Sequence, residues 1–295
     1  MEIKKVGTHS GSFHADDVMA YIILDELYGP LELVRSREEA VLATCDVVFD
    51  VGGGEYDHHT NDKEYRENGI PYAAAGLVWR DFGKLLLEKK GFSATSINRV
   101  FNYIDEQYIQ GLDAIDNGVR YSRDIIIPDL TSDIQRFNPR WNKDEDENEQ
   151  FNKAVQYARS SFVNLLEDQL SRLAAVDIIK KSYAERTQKE LLVLEQHCPW
   201  QGTLLDIDRE EEVKFVIYKD PRKGYLIQVV PVGRNTFEAR KDLPQEWAGR
   251  DAEDLNRIIG INDAIFAHPA RFIAGAKSKE SIMKMAEIAL KSKDK

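Results

Sequence analysis

Eight residues of two kinds stand where they could do metal chemistry: His9, His14, Asp16, Asp50, Asp57, His58, His59 and Asp116. The chain has six histidines, and four of them fall within the first 59 residues, each close in sequence to an aspartate. A single pair of this sort is ordinary, because both residue types are common at turns and helix caps. Two dense clusters are not. Bringing at least three carboxylates together sets up like-charge repulsion that only cations relieve cheaply. Imidazole and carboxylate donors without thiolate suit Mn²⁺, Mg²⁺, Fe²⁺ or Zn²⁺. So many donors exceed what one small cation holds. They fit two ions about 3.5–4 Å apart, the arrangement that clamps an in-line phosphoryl displacement. Asp50 is the natural bridging ligand, and a bridging water that lost its proton would be the nucleophile.

Those side chains need strand ends to bring them together. The stretch VGTHSGSFHADD, residues 6–17, reads as a strand end, a tight turn and a helix start, with Gly7 and Gly11 permitting the turn. Asp17 there reads as an acid at a helix N-terminus, with direct metal ligation as the alternative. Strands are expected at 3–9, 31–35 and 46–51, alternating with helices at 14–28 and 37–44. That alternation argues for a doubly wound, mainly parallel sheet, whose strand C-terminal ends converge on one crevice. Helices follow at 70–88, 97–115 and 129–137, and one long helix at 151–186. Strands at 190–195, 212–219 and 224–231 come next, then a helix at 252–259, short strands at 264–267 and 271–276, and a helix at 278–291. The expected division is a catalytic domain over 1–187 and a smaller mixed α/β domain over 188–295, with an earlier boundary if the long helix belongs to the second domain.

Composition sets bounds. The 295 residues are 42% hydrophobic and 31% charged, the profile of an ordinary globular chain. No apolar run has the length of a membrane span, and the N-terminus lacks the apolar core of a signal peptide. Two cysteines, Cys45 and Cys198, make no disulfide framework or zinc finger. A cytoplasmic protein is therefore expected. The net charge of −11 offers no global attraction for long nucleic acid, though a local basic patch could hold a short phosphate-bearing ligand.

The triplet Asp57-His58-His59, the H-x4-H-x-D pattern of His9, His14 and Asp16, the strand ending at Asp50 and the Asp116-Asn117 pair together resemble the DHH superfamily of metal-dependent phosphoesterases. Within it, the segments GTHSGSFHADDVMA, FDVGGGEYDHH, RKDLPQEWAGRDAEDL and IFAHPARFIAGAKS are similar to the Myg family of 3′→5′ exonucleases acting on RNA. The resemblance implies a site. His9, His14 and Asp50 would hold one metal; Asp16, Asp50, His58 and Asp116 would hold the second. Asp57 would orient a ligand histidine, fixing its tautomer. His59 would meet the substrate phosphate or protonate a leaving oxygen. In the second domain, His268, Arg271, Gly275 and Lys277, with Arg240, would contact substrate. Many superfamily members have Asp where this chain has His14, and paired glycines where it reads AGAK.

The resulting expectation is a phosphodiesterase with two divalent ions, Mn²⁺ first and Mg²⁺ as the alternative, removing nucleotides from the 3′ end of RNA or short oligonucleotides. Two alternatives stand beside it: a small-molecule phosphatase or pyrophosphatase, and a metal-stabilised binding module without turnover.

Overall fold

In the computed structural model, which describes residues 3–59, 63–119, 128–222 and 224–293, the strand leading to His9 lies at the middle of a three-stranded parallel sheet. The strands are β1 (Lys5–Thr8), β2 (Glu32–Arg35) and β3 (Val47–Val48), in the order β2-β1-β3. Helix α1 (Ala15–Tyr28) connects β1 to β2, and the single turn α2 (Glu39–Leu42) connects β2 to β3. The chain thus passes to one side of β1 and then to the other. That reversal makes the C-terminal ends of β1 and β3 a topological switch point, where open α/β sheets place their ligands.

β3 is shorter than its apolar run suggests. Phe49 only bridges to Tyr56, and Asp50 leaves the strand with φ 59°. A non-glycine residue in the left-handed region is strained. The Asp50 amide, bonded to the Tyr56 carbonyl at 2.9 Å, holds it there. Helix α1 is apolar almost all round, with Val18, Met19, Ala20, Ile22, Ile23 and Leu24 fully buried, so the turn before it is fixed to the core.

Helix α3 (Ala74–Lys89) opens on the buried Ala74, Ala75 and Gly76. Helices α4 (Ala94–Ile104) and α5 (Gln110–Asp116) are one continuous helix interrupted by a π turn, Asp105–Ile109. The apolar periodicity of this stretch, taken alone, reads as one uninterrupted α-helix. After α6 (Leu130–Gln135) comes the 38-residue α7 (Glu147–Ala184). The chain divides into two compact units, Met1–Gln169 and Leu170–Lys295, with the division inside α7.

The second unit is built on a five-stranded mixed sheet. Its strands are β4 (Leu191–Leu194), β5 (Phe215–Asp220), β6 (Gly224–Val229), β7 (Ala264–Ala267) and β8 (Ile273–Ala276), ordered β4-β5-β6-β8-β7. Only the β4–β5 pair is parallel. Side chains of β5 alternate between two cores, as a pleated strand covered on both faces requires. Phe215 and Ile217 join Leu255 and Ile259 of α9 (Ala252–Ile259) and Ile282 and Met285 of α10 (Lys279–Lys291). Val216 and Tyr218 join Ala175 and Ile179 of α7 and Leu204 of α8 (Gln201–Ile207). No helix of the described residues is long and apolar enough to cross a membrane.

Candidate metal centre

Four backbone segments deliver most of the site. His9 follows β1, Asp16 and Asp17 lie in the first turn of α1, Asp50 follows β3, and His58 follows a turn after Gly52–Gly54. Asp116, the last residue of α5, comes from a fifth segment. The imidazole and carboxylate atoms meet at short range. His9 Nε2 lies 3.2 Å from Asp50 Oδ2 and 3.4 Å from Asp17 Oδ2. His58 Nε2 lies 3.1 Å from Asp50 Oδ1, 3.1 Å from Asp116 Oδ2 and 3.7 Å from Asp16 Oδ2. The two oxygens of Asp50 therefore face different histidines.

Burial makes this arrangement unusual. Asp16 and Asp17 are fully buried, and Asp50, His58 and His9 nearly so. Buried polar atoms are normally paired. Yet Asp16 Oδ1, Asp17 Oδ2, Asp50 Oδ1 and both ring nitrogens of His58 have no partner in hydrogen-bond geometry. Burial pushes the Asp16 carboxyl well above its usual range, with the Asp50 and Asp116 charges adding to it. Burial, then the Asp50 charge, takes Asp17 up to about 7. Burial acts on Asp50 in the same direction, but the His58 and His9 imidazoles outweigh it and hold that carboxyl at about 2. His58 would lose its proton on burial alone; Asp116 and Asp50 raise it to about 10. Surplus negative charge around unpartnered donor atoms is what a divalent cation relieves, so the residues fit one. Three groups of donor atoms lie close enough to hold an ion: His9, Asp17 and Asp50; Asp50, His58 and His59; His14, Asp16 and Asp116.

The residues expected from sequence to hold metal lie close together, but they fall into other groups than expected, His59 standing with Asp50 and His58. His14 stands with Asp16 and Asp116, its Nδ1 3.6 Å from Asp116 Oδ1, and Asp17 takes the place beside His9. The reason is local. His14 is the N-cap of α1, and Asp17 Oδ1 accepts the His14 amide at 3.0 Å. That leaves Asp17 Oδ2 to face His9. Helix-start position alone marks Asp17 only as a helix-end acid; two aspartates in tandem after a histidine are the signal that could have found it.

Asp57 touches a histidine, and that histidine is His59. Asp57 Oδ1 lies 3.0 Å from His59 Nδ1 and accepts the His59 amide, while Oδ2 accepts the Gly53 amide. The His59 side chain is 63% exposed, against 6% for His58. A cleft of about 560 Å³ opens here, lined by His9, His14, Asp50 and His59 on the metal-centre side and by Ser10, Ser12 and Arg37 among the rest.

Around this centre lies a network the sequence does not disclose. Arg66 pairs with Asp105 through Nε and Nη2 at 2.7 Å, and its Nη2 lies 2.8 Å from the buried Asp113 Oδ2. Asp113 Oδ1 accepts the Gly76 amide at 3.0 Å. A Cβ on Gly76 would stand 1.8 Å from Asp113 Oδ2, so only glycine lets α3 approach so closely.

The candidate substrate residues of the second unit lie in unlike surroundings. Arg240 is buried, 2% exposed, with its guanidinium on Asp208 and the Val213 carbonyl, which takes it out of reach of a substrate. Gly275 sits in β8, where a Cβ would meet Leu226 at 2.8 Å and Phe266 at 3.1 Å; its smallness serves packing. Arg271, at φ 59°, pairs with Asp242. His268 Nδ1 accepts the Ala270 amide, and its ring lies against Phe272. Lys277 is exposed. Trp79, Trp200 and Trp247 are buried, whereas Trp141 is 96% exposed.

Strand-end carboxylates and imidazoles in an α/β unit form clusters that could hold a divalent metal ion. Residues 5–290 match the profile of MYG1_exonuc, described as uncharacterised protein family UPF0160, and the chain belongs to that family. It is 32% identical to the MYG1 exonuclease of Homo sapiens over 321 residues, covering 97% of this chain and 85% of that protein. It is 30% identical to a MYG1 protein of Schizosaccharomyces pombe over 320 residues, covering 97% of each. Among solved structures, a pGpG-specific phosphodiesterase from Vibrio cholerae aligns over 97% of each chain at 10% identity and a TM-score of 0.32, a likeness too weak to bear on function.

Proposed function

We propose that this chain is a metal-dependent phosphodiesterase of the DHH type, a 3′→5′ exonuclease that acts on RNA or short oligonucleotides. The observation that carries the reading is the set of buried, unpartnered carboxylate and imidazole atoms converging on Asp50. Relatives named MYG1 exonuclease support the nuclease part of it. His9, Asp17 and Asp50 would hold one divalent ion; Asp50, His58, Asp16 and Asp116, with His14 beside them, would hold the other, Mn²⁺ or Mg²⁺ by donor chemistry. When bound, such ions polarise a phosphoryl oxygen and acidify water.

The remaining work falls to side chains. Asp50 presents one oxygen to each histidine group and keeps the two together. Asp57 fixes His59 through Nδ1, so Nε2 is the ring nitrogen left to meet substrate. That nitrogen can hold a proton for the leaving oxygen or donate to a phosphate oxygen. The 560 Å³ cleft and the net charge of −11 favour short substrates over long polyanions.

Comparing a 5-mer RNA, a nucleoside bisphosphate and pyrophosphate as substrates of the Mn²⁺-loaded protein tests this reading. Release of mononucleotides one at a time from the RNA is expected. Turnover of pyrophosphate alone would replace it with a small-molecule phosphatase.

A further inference from the structure

The four carboxylates of the centre, Asp16, Asp17, Asp50 and Asp116, balance two divalent cations charge for charge. A loaded centre therefore has little net positive charge with which to attract an anionic substrate. The chain as a whole repels one. Among the described residues lining the cleft, Arg37 is the only arginine or lysine.

Two arginines at the end of β2 meet the Ser10–Gly11 turn, and they differ in what they have left to offer. Arg35 is consumed. Its side chain is 1% exposed, Nη2 donates to the Gly11 carbonyl, Nη1 reaches the Glu147 carbonyl, and the guanidinium stands over the Phe13 and Phe151 rings at 5.4 and 4.8 Å. Arg37 is exposed and donates only through Nε, to the Ser10 carbonyl at 3.2 Å. Among the described residues, Nη1 and Nη2 of Arg37 have no hydrogen bond and no carboxylate. The single Nε contact fixes the planar head at the cleft and leaves two parallel donors, the fork that matches a phosphate.

We propose that Arg37 is a substrate-binding residue whose Nη1 and Nη2 hold a phosphoryl group of the substrate in the cleft. The proposal rests on the phosphodiesterase reading for the identity of the substrate, not for the chemistry of the contact. It adds, in the first unit, a phosphate contact beside those expected in the second.

The test compares wild type, Arg37→Gln and Arg37→Lys, each loaded with Mn²⁺. Binding of inorganic phosphate is followed by calorimetry, and KM for a 5-mer RNA over a range of salt. Arg37→Gln is expected to weaken phosphate binding roughly tenfold or more. It should raise KM comparably, and lower the slope of log KM against log salt by about 0.7 for the lost contact. Arg37→Lys should recover part of each loss, as the charge returns without the fork. Mn²⁺ affinity should stay within about twofold of wild type, an order-of-magnitude expectation for a charge that touches no ligand. Unchanged phosphate binding in Arg37→Gln would overturn the proposal. So would an equal loss of Mn²⁺ affinity with an unchanged salt slope, which would make Arg37 a brace for Ser10 alone. If wild type leaves RNA intact, the exonuclease reading fails by itself, and phosphate calorimetry still decides Arg37.

Discussion

His58 and His59 are neighbours in sequence and opposites in environment, and the difference assigns their work. His58 is buried among Asp16, Asp50 and Asp116, the setting of the ligand role proposed for it. His59 lies at the cleft with Asp57 behind it. His59→Ala is therefore expected to lower kcat by about 10²–10⁴, the range for a lost acid or base, with Mn²⁺ affinity largely kept. Steady-state kinetics and metal calorimetry on the same variant check it; a loss of Mn²⁺ affinity as large as the loss of kcat would make His59 a ligand instead. The pair itself is legible in the sequence. Which ring turns inward is not, because adjacent side chains diverge and the local turn decides the direction. Arg240 shows the opposite case: a cation in a plausible motif, claimed by Asp208, a partner 32 residues away that no spacing rule reveals.

At the scale of elements, the π turn Asp105–Ile109 adds an extra residue to the helix that ends at Asp116. Arg66 locks that turn, pairing with Asp105 within it and with Asp113 beyond it. Removing one partner of a buried ion pair strands the other, so Arg66→Ala is expected to cost about 3–5 kcal/mol of stability. Urea unfolding measures it, and a loss below about 1 kcal/mol would mean Asp113 is satisfied without Arg66. Gly76→Ala should also destabilise, by about 1–3 kcal/mol or more, since the added methyl meets the Asp113 carboxylate. Most elements of both units match the sequence pattern closely, β7 and α9 to the residue. The misses have physical causes. β3 is cut short by the left-handed Asp50, α8 is too short and too close to Cys198-Pro199 to show a period, and the π turn preserves the apolar stripe that reads as α-helix.

For the molecule as a whole, the buried carboxyls in and beside the candidate centre are a source of instability that varies with pH. Asp17 and Asp113, both raised by burial to about 7, keep protons in the folded state that the unfolded chain has released. Metal-free stability therefore falls as pH rises from about 4 to about 7. The contribution of His58, raised to about 10, is full below about 6.5 and is lost as pH rises beyond it. Divalent cations at this centre would need Asp17 and His58 deprotonated and bind the folded state, so the rise in Tm on adding Mn²⁺ should be larger near pH 8 than near pH 5. Scanning fluorimetry in chelator and in excess Mn²⁺ at both pH values reads this, and equal gains would contradict it. Whether the Asp50 centre cleaves phosphodiester bonds is decided by a single titration. Metal-stripped protein and its Asp50→Asn variant are titrated with Mn²⁺ against a short 5′-labelled RNA. Stepwise shortening from the 3′ end that requires both Mn²⁺ and Asp50 is expected. Intact RNA at saturating Mn²⁺, or equal cleavage by Asp50→Asn, would refute that activity for this centre.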